Sequence, residues 1–148
     1  MKSIRHTTQR AVLLGAFICF AATPALAQTV GEILDKGGQK LDAAGARAAL
    51  ATGPTFSGRN AAGFLGTTVY KADGTLTSSG TRERDNFSNS GKGAWTVDDA
   101  GKVCAKTDWE KGQGSSSVCY FWFKMGDDYF TAPTDAKEQA AVRRLLGK

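Results

Sequence analysis

Residues 91–129 constrain the fold of this chain more than any other stretch. They hold all three tryptophans, Trp95, Trp109 and Trp122, and the two cysteines that lie outside the N-terminal leader, Cys104 and Cys119. Ala94-Trp95-Thr96-Val97 and then residues 102–109 alternate with the period of two that a β-strand imposes. In the second run Val103, Ala105, Thr107 and Trp109 share one face, and Cys104, Lys106 and Asp108 share the other. Residues 118–124 are apolar on both faces, with Val118, Tyr120 and Trp122 against Cys119, Phe121 and Phe123. That pattern predicts a strand covered on both sides. Asp98-Asp99-Ala100-Gly101 and Gly126-Asp127-Asp128 are turn sequences, and Tyr129-Phe130-Thr131 starts a further strand.

The cysteines turn this run into a register. With Cys104 opposite Cys119 in an antiparallel hairpin, Val103 faces Tyr120, Ala105 faces Val118 and Trp109 faces Gly114. The turn then falls among Glu110, Lys111, Gly112 and Gln113, where the glycines are. Directly opposed strand residues lie within disulfide reach. The bridge closes a loop of about 16 residues, worth roughly 3 kcal/mol by chain entropy. One conflict remains: Lys106 and Asp108 suggest that the Cys104 face meets solvent, whereas Phe121 and Phe123 suggest that the Cys119 face meets core. A half-covered face, or a lid formed by one of the helices, would reconcile them.

The oxidising compartment that a disulfide requires is implied by the N-terminus. Lys2, Arg5 and Arg10 precede an apolar run from Ala11 to Ala22 that is too short to span a bilayer, and Ala25-Leu26-Ala27 supplies small residues at a cleavage site. We read residues 1–27 as a signal peptide cleaved after Ala27 and residues 28–148 as one β-rich exported domain, periplasmic or secreted, with no transmembrane segment after cleavage. The leader takes three positive charges with it, so the formal net charge of +5 falls to +2. No basic run survives, which leaves nucleic-acid binding without support. His6 is the only histidine, so the mature domain has no Ser-His-Asp or Cys-His catalysis and no histidine-ligated metal.

Ahead of the tryptophan-rich stretch, residues 29–41 read as a short helix or a loose arm interrupted by Gly37 and Gly38. Asp42 caps a helix over the Ala-rich run that follows, which ends at Gly53 before Pro54. Ala46, Ala49 and Leu50 give this helix a narrow apolar stripe to pack on the sheet. Thr55-Phe56-Ser57-Gly58 and residues 64–71 read as strands, with a loop at residues 60–63 between them. Ala72-Asp73-Gly74 turns the chain back into Thr75-Leu76-Thr77, and Ser78-Ser79-Gly80 reads as a break. Residues 81–87 fit either a charged edge strand or a solvated loop. After Pro133, Val142, Leu145 and Leu146 fit helical spacing, so the C-terminus reads as a helix; a last strand over 142–146 is the alternative.

The motifs Gly93-Ala94-Trp95-Thr96-Val97, Gly101-Lys102-Val103-Cys104, Cys119-Tyr120 and Gly126-Asp127-Asp128-Tyr129 resemble those of small exported proteobacterial proteins grouped as a domain of unknown function. The resemblance extends upstream to the Ala-rich helix and Thr55-Phe56-Ser57-Gly58. It implies an exported, β-rich, disulfide-linked domain and supplies no catalytic residues.

The expected fold is α+β: one or two N-terminal helices, then an antiparallel meander curled into a half-barrel or small barrel with one disulfide. A fully closed lipocalin-like barrel with an internal cavity is the alternative. Trp95, Trp109, Tyr120, Trp122 and Tyr129 form the candidate ligand or partner surface, although aromatic rings also dominate small cores. Asp108 and Glu110 have the spacing of a strand-borne carboxylate pair. Asp98, Asp99, Asp127 and Asp128 fit turns better than a cation loop, and Arg143-Arg144 fits a solvated helix end. No pattern calls for a catalytic residue, a metal or another cofactor. The reading is therefore a non-enzymatic exported protein acting through protein or envelope-surface contacts. A small-ligand-binding module and a carboxylate-based hydrolase are the alternatives, and the partner would be another envelope protein or a small apolar ligand.

Overall fold

The hairpin that the cysteines predict is the centre of the wall. The computed structural model describes residues 28–59 and 64–147; the leader read at residues 1–27 and the loop read at 60–63 lie outside them. Strands β6 (Lys102–Trp109) and β7 (Ser115–Met125) pair with Val103 opposite Tyr120, Cys104 opposite Cys119 and Ala105 opposite Val118. The Trp109 amide donates to the Gly114 carbonyl at 2.9 Å, at the head of the turn. Cys104 and Cys119 are bonded, with their Cα atoms 4.0 Å apart.

The remaining strands extend this hairpin in chain order. They are β2 (Thr55–Arg59), β3 (Phe64–Tyr70), β4 (Thr75–Arg82), β5 (Phe87–Val97), β8 (Asp128–Ala132) and β9 (Val142–Leu146), and a two-residue strand β1 (Gln39–Lys40) precedes them. Each strand from β2 to β9 is antiparallel to the next. The ring closes where β9 returns to β2, with Phe56 opposite Leu146 and Ser57 opposite Leu145. The result is a closed eight-stranded up-and-down barrel, mostly β, with two short helices. Closure pairs each strand of the barrel with two neighbours over part of its length and leaves residues 115–120 of β7 paired on one side only.

The C-terminal helix expected from Val142, Leu145 and Leu146 is corrected here to strand β9. Without it, β8 and β2 would each expose a row of unpaired backbone groups, and pairing with both β8 and the distant β2 overrides the local helical spacing. Ser78, Ser79 and Gly80, read as a break, lie inside β4 between β3 and β5. Residues 81–87 are neither an edge strand nor a plain loop. Thr81 and Arg82 end β4, and Phe87 opens β5 after a turn in which Asn86 has φ 51°.

Two helices occupy different sides of the wall. Helix α1 (Val30–Asp35) is fixed by a reciprocal cap: Thr29 Oγ1 accepts from the Glu32 amide at 3.2 Å, and Glu32 Oε2 accepts from the Thr29 amide at 3.0 Å. Its Val30 and Ile33 form a cluster with Phe123, Phe130, Ala132 and Ala141. This covers part of the outer face of β7 and accounts for that strand being apolar on both sides. Lys106 and Asp108 lie on the same outer face of the barrel but away from α1, which resolves the conflict between the two cysteine faces.

Helix α2 (Ala43–Ala51) starts at Asp42, whose Oδ1 accepts from the Gly45 amide at 2.7 Å, and stops before Gly53, at φ 75°. Its Ala46 and Leu50 are buried with Phe56, Tyr70, Leu76, Trp95, Val103 and Trp122. The helix thus plugs one end of the barrel. Burying Leu50 contributes about 1.5–3 kcal/mol. No helix among the described residues is long and apolar enough to cross a membrane.

Candidate functional site

The barrel interior is filled at the α2 end and hollow beyond it. A cavity of about 390 Å³ occupies the hollow part, within the size range of small-molecule sites. Alternation along the strands sets its wall: Val103, Ala105, Thr107 and Trp109 from β6, and Ser116, Val118, Tyr120 and Trp122 from β7. Its floor is aromatic, with Phe56 and Trp122 ring centroids 4.8 Å apart and Tyr70 6.0 Å from Trp122.

The space exists because three neighbouring strands carry no side chain at one level. Gly58 pairs with Gly66, and Gly66 with Gly80, and all three line the cavity. A Cβ on Gly66 or Gly80 would meet only ordinary contacts of 3.4 Å or more. These glycines therefore leave volume open rather than permit a close backbone approach. Gly93 is different: a Cβ there would collide with the Lys106 carbonyl, so that glycine lets β5 bend tightly onto β6.

Polar groups punctuate the wall. Thr68 Oγ1 and Ser78 Oγ share a hydrogen bond of 3.0 Å, and Trp109 Nε1 donates to Ser116 Oγ at 2.8 Å. Arg144 enters from β9. Its Nε donates to Thr131 Oγ1 at 2.9 Å, and its guanidinium carbon lies 5.9 Å from the Tyr120 ring centroid. Burial lowers the Arg144 pKa from its ordinary value, opposed by Tyr120 and Tyr70. Burial pushes the Tyr70 phenol up to about 12, with Arg144 acting against the shift and Tyr120 adding to it.

One flank of the wall is thin. Strand β8 pairs with β7 only over residues 121–125, so residues 115–120 have β6 as their strand neighbour. Val118 lines the cavity and is nevertheless 44% exposed, so the cavity meets solvent along this flank.

Of the five aromatic residues singled out in the sequence, Trp109, Tyr120 and Trp122 line the cavity. Trp95 and Tyr129 do not. Trp95 is buried against Tyr70 with its Nε1 donating to the Lys71 carbonyl at 3.0 Å, and Tyr129 packs on Phe56 and Trp122. The cysteines sit on the outer face and do not reach the cavity. Asp108 and Glu110 are exposed, accept from Ser115 Oγ and Ser90 Oγ, and do not line it. Asp128 pairs with Arg143 at 2.7 Å, and no group of three potential metal ligands occurs among the described residues.

Sequence reasoning missed Phe56, Tyr70, the glycine row and Arg144 as cavity residues. Reading the β3–β4 register outward from the Asp73-Gly74 turn would have set Gly66 opposite Gly80. Arg144, read as part of a solvated helix end, is corrected to an inward-facing strand residue.

The chain belongs to the family described as protein of unknown function (DUF995). The family model matches residues 17–137, which include β2–β8 and stop before β9. No curated protein and no solved structure matches this chain.

Proposed function

We propose that the protein is a small-molecule binding module that holds its ligand in the hollow half of the barrel. The observation that carries this reading is the 390 Å³ cavity with an aromatic floor and a few polar groups on its wall, the composition usual for ligand sites. No acid lines the cavity among the described residues, so a carboxylate-based hydrolase draws no support from it. Export belongs to the same proposal, supported by the leader pattern of residues 1–27 and by a disulfide of the kind that persists in oxidising compartments.

Titration with the neutral fluorophore N-phenyl-1-naphthylamine tests the reading. Saturable one-to-one enhancement, with quenching of tryptophan emission from Trp109 and Trp122, supports it. A titration with no saturable change overturns it.

A further inference from the structure

We propose that the ligand is a small organic acid whose carboxylate pairs with Arg144 while its apolar body lies against Phe56, Trp122 and Val118. The proposal rests on the binding reading above and adds the charge of the ligand to it.

Four observations converge. First, Arg144 differs from its neighbours in the barrel. Arg59 pairs with Glu83 at 3.0 Å, Arg82 with Asp85 at 2.7 Å and Arg143 with Asp128 at 2.7 Å. Among the described residues, Arg144 has no carboxylate within ion-pair distance, and its one side-chain hydrogen bond is from Nε to Thr131. A guanidinium carries five N–H donors, and no fully buried side-chain nitrogen among the described residues lacks a partner, so the N–H groups that Arg144 does not spend on Thr131 are accessible to a ligand in the cavity.

Second, Arg144 is the only charged residue that lines the cavity among the described residues; the rest of the lining is apolar or neutral polar. The cavity wall therefore carries one positive charge with nothing opposite to it. Third, the fold makes room for this head group. A Cβ on Gly58 would come to 2.8 Å from Arg144 Nη1, so the guanidinium lies directly over the bare backbone at that point of β2. Fourth, the chemistry nearby suits a carboxylate with an apolar body. The planar guanidinium fork matches a carboxylate bidentately, and the aromatic floor begins beside it. An inorganic anion would leave that floor unused.

Isothermal titration calorimetry with 1-naphthaleneacetate and its methyl ester, at neutral pH and low salt, isolates the charge while holding the ring constant. The proposal expects wild-type protein to bind the acid about tenfold more tightly than the ester, as a charge-assisted bidentate pair requires. It expects Arg144→Gln to lose that preference and Arg144→Lys, which keeps charge without the fork, to retain part of it. Equal binding of acid and ester by the wild-type protein overturns the anion site while leaving the cavity reading intact, and this outcome does not depend on any variant folding. An undiminished preference in folded Arg144→Gln overturns it as well. Binding of neither compound overturns the organic-acid proposal, and the N-phenyl-1-naphthylamine titration then decides the cavity reading separately.

Discussion

On the same two strands, β3 and β4, the interior is filled at one level and empty at another. Tyr70 pairs with Leu76 at the α2 end, and both are buried among Trp95, Val103 and Trp122. Four residues away on each strand, Gly66 pairs with Gly80 and the interior is open. Strands β3 and β4 stay paired through both levels, so their own hydrogen bonding does not distinguish them. Side-chain volume does. The packed end contributes the buried apolar surface that stabilises a domain of this size, and the glycine row leaves a space that the packed end does not need. Packing and open space thus fall at different lengths of one barrel, and the proposed binding would use the second.

This division makes the two ends respond differently to substitution. The largest effect is expected at the packed end, where Trp95→Ala should lower the unfolding free energy by about 3–5 kcal/mol, read from urea midpoints. Trp95 does not line the cavity, so a small loss there would mean that the α2 end is not the stabilising core. Next is the disulfide, which clamps the wall from outside. Replacing both Cys104 and Cys119 with serine should cost roughly 3 kcal/mol, and an unchanged melting temperature would show that the bridge is dispensable.

Tyr70, on the boundary between the two ends, gives a pH signature. Its folded pKa of about 12 stands above the ordinary 10.0 because the phenol is buried. As pH rises through that window, the unfolded chain releases a proton that the fold retains. Stability should therefore fall between about pH 10 and pH 12, by no more than about 3 kcal/mol. Denaturant midpoints for wild type and Tyr70→Phe across this range check it: the variant should lack this part of the alkaline loss.

How far the sequence revealed these features depended on how local their causes are. The β6–β7 register was legible because Cys104 and Cys119 pin it and the glycines of the intervening turn agree. The α2 cap at Asp42 and the turn at Asp73-Gly74 were legible for the same reason: each is decided within a few residues. Strand β9 was not. Its partners Phe56 and Ser57 lie far away in sequence, and Val142, Leu145 and Leu146 fit a helix as long as that pairing is unknown. Arg144 went with it, since its inward direction follows only from strand geometry. Trp109 and Tyr120 line the cavity because they face inward beyond the packed end, and Trp122 lines it from the top of the packed cluster; Trp95 is buried in that cluster at the level where Tyr70 and Leu76 leave no space.

The separation of a filling end from a binding end is tested most directly by Gly66→Val. A Cβ at this position meets only ordinary contacts, and a β-branched residue suits a strand, so the change puts a side chain into the cavity of about 390 Å³ without a backbone clash at Cβ. Binding of N-phenyl-1-naphthylamine and thermal melting would be measured on wild type and variant side by side. The variant should melt no lower than wild type, gaining up to about 1 kcal/mol from the lost glycine, while probe binding is weakened. Unchanged binding in a folded Gly66→Val protein would contradict the division of the barrel into a filling end and a binding end.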